Sequence, residues 1–232
     1  MLNNKYTHLF FDLDHTLWDF ETNSAIALQE VMHQFKFDEK GIDKNKFIKL
    51  YSKYNSDLWA QLEKGLITRA EVKVNRFLFT LNEFEINDFD LAKSLDAEYL
   101  KILPLQTKLF DDAIDVLDFL LPKYQMHIIT NGFLEVQTKK LKNSNLQKYF
   151  CEIITSEEAN ANKPQIEIFD FAFAKTKATA LNSVMIGDNP FADMQGALNA
   201  GMDRILFNTN NHEHDVEITT EIKSLKELMQ LL

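Results

Sequence analysis

A single cysteine, only three arginines, and no apolar run near the ~18 residues of a membrane span set the first limits on this 232-residue chain. One cysteine, Cys151, excludes an internal disulfide, and the apolar Phe150, Ile153 and Ile154 around it predict a packing residue rather than a nucleophile. The stretch Met1 to Phe11 holds one lysine and a short apolar run stopped by Asp12, so it lacks the hydrophobic region of a signal peptide. Cytoplasmic residence without a membrane partner is the resulting expectation. Positive charge is scarce: 25 Lys+Arg against 35 Asp+Glu leave a net charge of -10, which repels a phosphate backbone and disfavours a nucleic acid polymer as partner. A buried site answers to its nearest groups, so one small phosphorylated molecule is still admissible. There is no internal repeat, no low-complexity linker, and no metal-ligand spacing among the six histidines. What the chain has is 45% hydrophobic residues and 19 Phe, enough for a substantial core. Its length exceeds the roughly 100–200 residues of one domain, pointing to a domain with an insertion or to two small domains.

The first apolar run, His8 to Phe11, ends in Asp12-Leu13-Asp14-His15-Thr16, the pattern of a buried strand delivering polar groups at its C-terminal end. Open α/β sheets bind ligands there. Further strands are predicted at Gln125–Thr130, Cys151–Thr155, Ser183–Ile186 and Arg204–Phe207, with helices at Phe110–Leu121 and Ile166–Thr176. The alternation implies a doubly wound, Rossmann-like parallel sheet. Between Asp19 and Pro104 the pattern is helical instead: Phe47, Leu50, Tyr51, Tyr54, Leu58 and Leu62 recur at steps of three and four, and Thr68 to Glu71 has capping-box spacing. The expected organisation is an α/β domain of residues 1–18 and 105–232, with a helical insertion, 19–104, after the first strand.

Asp12 and Asp14 at one strand end repel unless neutralised, and hard oxygen ligands suit Mg²⁺. The pair alone fits solvated loop aspartates equally well. Three further signals follow beside strand ends or helix starts. Thr130-Asn131-Gly132 offers a hydroxyl and a turn whose backbone N–H groups can hold an anion. Lys163 precedes Pro164, a residue suited to the first turn of the helix from Ile166. Gly187-Asp188-Asn189-Pro190, followed by Asp193, brings a second acidic pair, or an N-cap, to a strand end. Their joint occurrence in this order is far more specific than any member.

With Asp12-Leu13-Asp14-His15-Thr16-Leu17, Thr130-Asn131-Gly132, Lys163-Pro164 and Gly187-Asp188-Asn189-Pro190-Phe191-Ala192-Asp193, the sequence resembles the haloacid dehalogenase-like hydrolase superfamily from Phe10 to about Leu206. The helical insertion looks like that family's type-1 cap. Phe10 to Phe20, Gly65 to Thr68, Arg76-Phe77 and Ile129 to Phe133 are similar to the bacterial pyrimidine 5'-nucleotidase branch.

The resemblance implies a Mg²⁺-dependent phosphomonoesterase acting on nucleoside 5'-monophosphates, pyrimidine first, through an aspartyl phosphate. Asp12 is then the nucleophile and Asp14 the general acid and base, an acid that the haloacid-cleaving members lack. Asp12, the Asp14 backbone carbonyl and Asp188 hold the metal. Thr130, Asn131, Gly132 and Lys163 bind phosphate, and Asp193 orients Lys163 or a metal-bound water. Trp18, Phe20 and Phe133 are the candidate substrate-recognition aromatics, against an ordinary packing role, and Arg69 and Arg76 read equally well as surface charges. Two alternatives stay open: a phosphatase or phosphomutase for another small metabolite such as glycolate phosphate or a sugar phosphate, and, from a different class, a phospho-acceptor signalling module. The latter need not carry an acid two residues after its acceptor, and it has no large helical insertion after its first strand.

Overall fold

The computed structural model describes residues 5–209, 211 and 213–232. Six parallel strands form one sheet: β1 His8–Phe11, β2 Gln125–Thr130, β3 Glu152–Thr155, β4 Ser183–Gly187, β5 Asp203–Phe207 and β6 Thr220–Ile222, in the order β3-β2-β1-β4-β5-β6. This is the doubly wound α/β arrangement expected from the sequence, with β6 added at the far edge. β1 lies at the centre with all four residues buried, because helices cover both faces of a parallel sheet and leave the strand no polar side. Its Phe10 joins Ile129, Ile154, Ile168, Phe169, Met185 and Leu206 in one apolar core.

The helices are α1 Phe20–Gln34, α2 Lys44–Glu63, α3 Arg69–Asn82, α4 Phe89–Ile102, α5 Ala113–Leu120, α6 Leu134–Asn143, α7 Ser156–Ala159, α8 Ile166–Thr176, α9 Gly196–Asn199 and α10 Leu228–Leu231. Among the described residues none is long and apolar enough to cross a membrane. The chain divides into two compact units, Met1–Phe20 with Thr107–Leu232, and Glu21–Gln106.

The second unit is helical. α2 buries Phe47, Tyr51, Leu58 and Leu62 on one face, as the steps of three and four predict, and Asp43 caps it through the Lys46 amide. α3 opens on the capping box of Thr68 and Glu71. Arg76 is no surface charge. It is buried, donates to Asp96 (2.6 and 3.2 Å) and Asn55 (3.2 Å), and lies 5.1–5.7 Å from the centres of the Tyr51, Phe77 and Tyr99 rings. A guanidinium buried among rings is tolerated because carboxylate and amide oxygens take its protons.

Three expectations need correction. Cys151 is exposed rather than packed, because it immediately precedes β3, and β3 is an edge strand. The helix expected from Phe110 begins at Ala113, since Asp112 in a left-handed conformation (φ +62°) blocks an earlier start. Pro164 stands outside α8, one residue before its N-cap Gln165, with a cis Lys163-Pro164 peptide.

Candidate active site

The carboxyl ends of β1, β2 and β4 are neighbours in the sheet, so Asp12, Thr130 and Asp188 converge although 118 and 58 residues separate them in turn along the chain (130 − 12, 188 − 130). Beyond Asp12 the loop closes on itself. The amides of Leu17 and Trp18 both donate to the Leu13 carbonyl and that of His15 to Trp18, with His15 at φ +63°. Asp14 is thereby turned off the strand line and sits half-buried.

Lys163 is the hub. Its buried ammonium donates to Asp12 (2.5 Å), Asp193 (2.6 Å) and the Ile129 carbonyl (2.9 Å), three acceptors for three protons. Burial by itself lowers the pKa of Lys163, but the Asp12 and Asp193 carboxylates overcome that and raise it, so it stays charged. The two sides of the Asn131 amide bind the Lys163 backbone, Oδ1 accepting from its N–H (2.8 Å) and Nδ2 donating to its carbonyl (3.1 Å). This fixes the Lys163 loop to the end of β2, and it spends the Asn131 side chain on that bridge.

Asp193 enters from the π-helical turn Pro190–Gln195, which Asn189 caps through the Phe191 and Ala192 amides. It also accepts from the Asn189 N–H (3.0 Å). Its path crosses Gly187, where a Cβ would meet the Asp193 carboxylate at 2.3 Å, so only glycine lets this acid lie over the end of β4. Thr16, quoted above only as part of a motif, donates to Asp188 (3.0 Å).

The carboxylates of Asp12, Asp188 and Asp193 lie within 4.8 Å of one another. Lys163 balances one of those charges. Burial raises the pKa of Asp12, with Lys163 opposing and Asp193 and Asp188 adding to it; burial and then Asp193 push Asp188 up to about 8 against Thr16 and Lys163. Such a cluster is short of positive charge, and an all-oxygen donor set of this kind fits a hard divalent cation.

All three candidate aromatics are buried. Trp18 is 0% exposed with the Lys140 ammonium 4.2 Å from its ring centre, Phe20 lies 5.4 Å from the same ammonium, and Phe133 is the residue from which α6 starts. In this structure the Trp18 ring packs inward and offers no open face for stacking, as the ordinary packing role requires.

Two residues of α6 were not legible as site residues. Lys140 donates to Asp14 (2.6 Å), and Gln137 donates to Asp14 (3.0 Å) and to the Thr130 hydroxyl (2.8 Å). They lie 126 and 123 positions from Asp14 and stand in no motif, but each is a polar residue on the buried face of a short helix, the one signal available.

The family profile of haloacid dehalogenase-like hydrolases matches residues 9–207. The chain is 33% identical to the HAD-hydrolase YfnB of Bacillus subtilis over 98% of this chain and 96% of that protein. Its crystal structure, bound to magnesium, superposes with a TM-score of 0.89 over 99% of both chains at 31% identity. The pyrimidine 5'-nucleotidases PynA of Streptococcus pneumoniae and YjjG of Escherichia coli are 32% and 28% identical over 98% of this chain, covering 95% and 98% of their own lengths. The chain therefore belongs to the haloacid dehalogenase-like hydrolases, is an enzyme of the phosphoric monoester hydrolase type, and resembles within that family the bacterial pyrimidine 5'-nucleotidases.

Proposed function

We propose that this enzyme hydrolyses nucleoside 5'-monophosphates, pyrimidine before purine, through a phosphoryl group carried on Asp12. The observation that supports it most is the pairing at one strand end of a buried carboxylate fixed by Lys163, Asp12, with a second carboxylate, Asp14, held apart by donors of its own. Two carboxylates in different settings suit two tasks. Asp12 attacks phosphorus while Asp14 gives a proton to the departing ester oxygen, and the P–O bond to the alcohol breaks. Water then attacks the aspartyl phosphate as Asp14 takes its proton, and inorganic phosphate leaves with Asp12 restored. Lys163 and the Thr130 hydroxyl stabilise the charge on the transferring group. A divalent cation of the Mg²⁺ type, held by Asp12, Asp188 and the Asp14 backbone carbonyl, supplies counter-charge for an anion approaching an anion. Asp193 holds Lys163 in place for both steps.

The nucleotide reading draws on the likeness to PynA and YjjG along the whole chain. A glyceraldehyde 3-phosphate phosphatase of Methanothermobacter thermautotrophicus is 34% identical over only 46% of this chain. Steady-state kinetics with Mg²⁺ on pyrimidine and purine monophosphates, sugar phosphates and glycolate phosphate decide the matter. The highest kcat/KM is expected on a pyrimidine monophosphate. A tenfold preference for a sugar phosphate or glycolate phosphate would replace the nucleotidase reading with one of a small-metabolite phosphatase.

A further inference from the structure

We infer that α6 carries two positioning residues for this reaction, Gln137 and Lys140, which hold Asp14 by both of its carboxylate oxygens and tie it to Thr130; this rests on the acid and base role proposed for Asp14. Three positions apart, they share one face of the helix. Lys140 Nζ binds Asp14 Oδ1 at 2.6 Å, and Gln137 Nε2 binds Asp14 Oδ2 at 3.0 Å. Both side chains are buried, at 2% and 1% exposure. Lysine normally carries its ammonium out to water, so one enclosed by Trp18 and Phe20 and directed at a half-buried carboxylate requires a reason beyond packing.

Gln137 makes the case more specific. Its amide orientation is set by its partners, since only the NH₂ end can face a carboxylate. Its Oε1 is consequently left buried without a partner among the described residues. An unpaired buried carbonyl is a cost that an apolar side chain of the same shape avoids, so what the position keeps is the donor. Space is made for it too: a Cβ on Gly132 would meet Gln137 Nε2 at 2.4 Å, so the glycine of the β2 turn is what admits this amide.

The consequence reaches the phosphate. Thr130 Oγ1 accepts from Gln137 Nε2 (2.8 Å) and from the Gly132 N–H (3.1 Å). With both lone pairs taken, the hydroxyl proton is left to donate outward, to a phosphoryl oxygen. Asp14, with one lone pair used on each oxygen, keeps a further lone pair to carry the proton that it gives to the ester oxygen and later takes from the water. One amide therefore fixes the phosphate donor and the acid relative to each other.

The test uses full-length enzyme with Mg²⁺, the alkyl phosphate ester it hydrolyses best, and p-nitrophenyl phosphate, whose leaving group needs little protonation. First-step rates come from rapid-quench release of the alcohol. Lys140→Met is expected to lower kcat on the alkyl ester roughly tenfold to a hundredfold with KM within about threefold, the scale of a misplaced catalytic group. Nitrophenol release should fall by less than about threefold, and no further loss should appear when Lys140→Met is added to Asp14→Asn. Gln137→Met should follow the same pattern with a raised KM, since it also frees Thr130, and it carries the same cycle if circular dichroism finds Lys140→Met unfolded. An alkyl-ester rate within threefold of the parent, equal losses on both esters, or an undiminished loss in the Asp14→Asn background would each overturn the inference. A fully active Asp14→Asn would instead remove the acid and base reading, and this inference with it.

Discussion

Replacing Lys163 with methionine keeps most of the side-chain volume and removes the charge at the centre of the site. Three hydrogen bonds disappear, two of them to buried carboxylates at 2.5 and 2.6 Å and one to the Ile129 carbonyl. Hydrogen bonds to charged groups contribute about 1.5–3 kcal/mol each, and breaking a buried pair by removing one partner costs about 3–5 kcal/mol. The two scales meet at a loss of roughly 5 kcal/mol in metal-free protein, worth roughly 10–20 °C in Tm for a chain of this size. The same substitution leaves three clustered carboxylates with no resident cation, so Mg²⁺ should bind the variant more tightly than the parent and raise its Tm by more. Activity should nonetheless fall at least a hundredfold, because the transferring phosphoryl group loses a fixed positive neighbour. Denaturation scans in EDTA and across a Mg²⁺ titration, together with kcat, measure all three. A variant that is stable to within 1 kcal/mol without metal, or that binds Mg²⁺ more weakly, would refute this account of the charge balance.

Asp12→Asn should keep its fold and lose turnover by several orders of magnitude, an amide being a poor nucleophile; retention of a tenth of the rate, about 1.4 kcal/mol of barrier, would end the assignment of Asp12. Gly187→Ala should displace Asp193 from Lys163 and destabilise the protein by about 1–3 kcal/mol, read from denaturant midpoints, whereas an unchanged midpoint would mean that the acid has another way to lie. The buried pair His8 and His127, with ring nitrogens 3.1 Å apart, predicts a pH effect of definite sign. Burial, then His8, lowers His127 from 6.5 to about 4, so its contribution is complete above pH 6.5 and is lost as pH falls through about 4. The loss is at most about 3 kcal/mol, and His127→Leu should flatten the stability-against-pH curve between those limits; parallel curves for parent and variant would contradict it.

The order of elements was written in local chemistry. The apolar run His8 to Phe11 closed by an acid, the steps of three and four through α2, and the Thr68 and Glu71 box each act within a few residues, where pattern and propensity decide. So was the convergence of Asp12, Thr130, Lys163 and Asp188, because every one stands beside a strand end or the start of a helix, and a parallel sheet brings those ends to one edge. Contact across the sheet was decided only in three dimensions. That Lys140 and Gln137 meet Asp14, that His8 meets His127, and that Arg76 lies among rings rather than in water depend on which helix face or strand register turns inward. Edge position, not composition, exposes Cys151. Periodicity marks which face of an element is buried, but which side chain waits on the other side depends on the packing of segments more than a hundred residues apart.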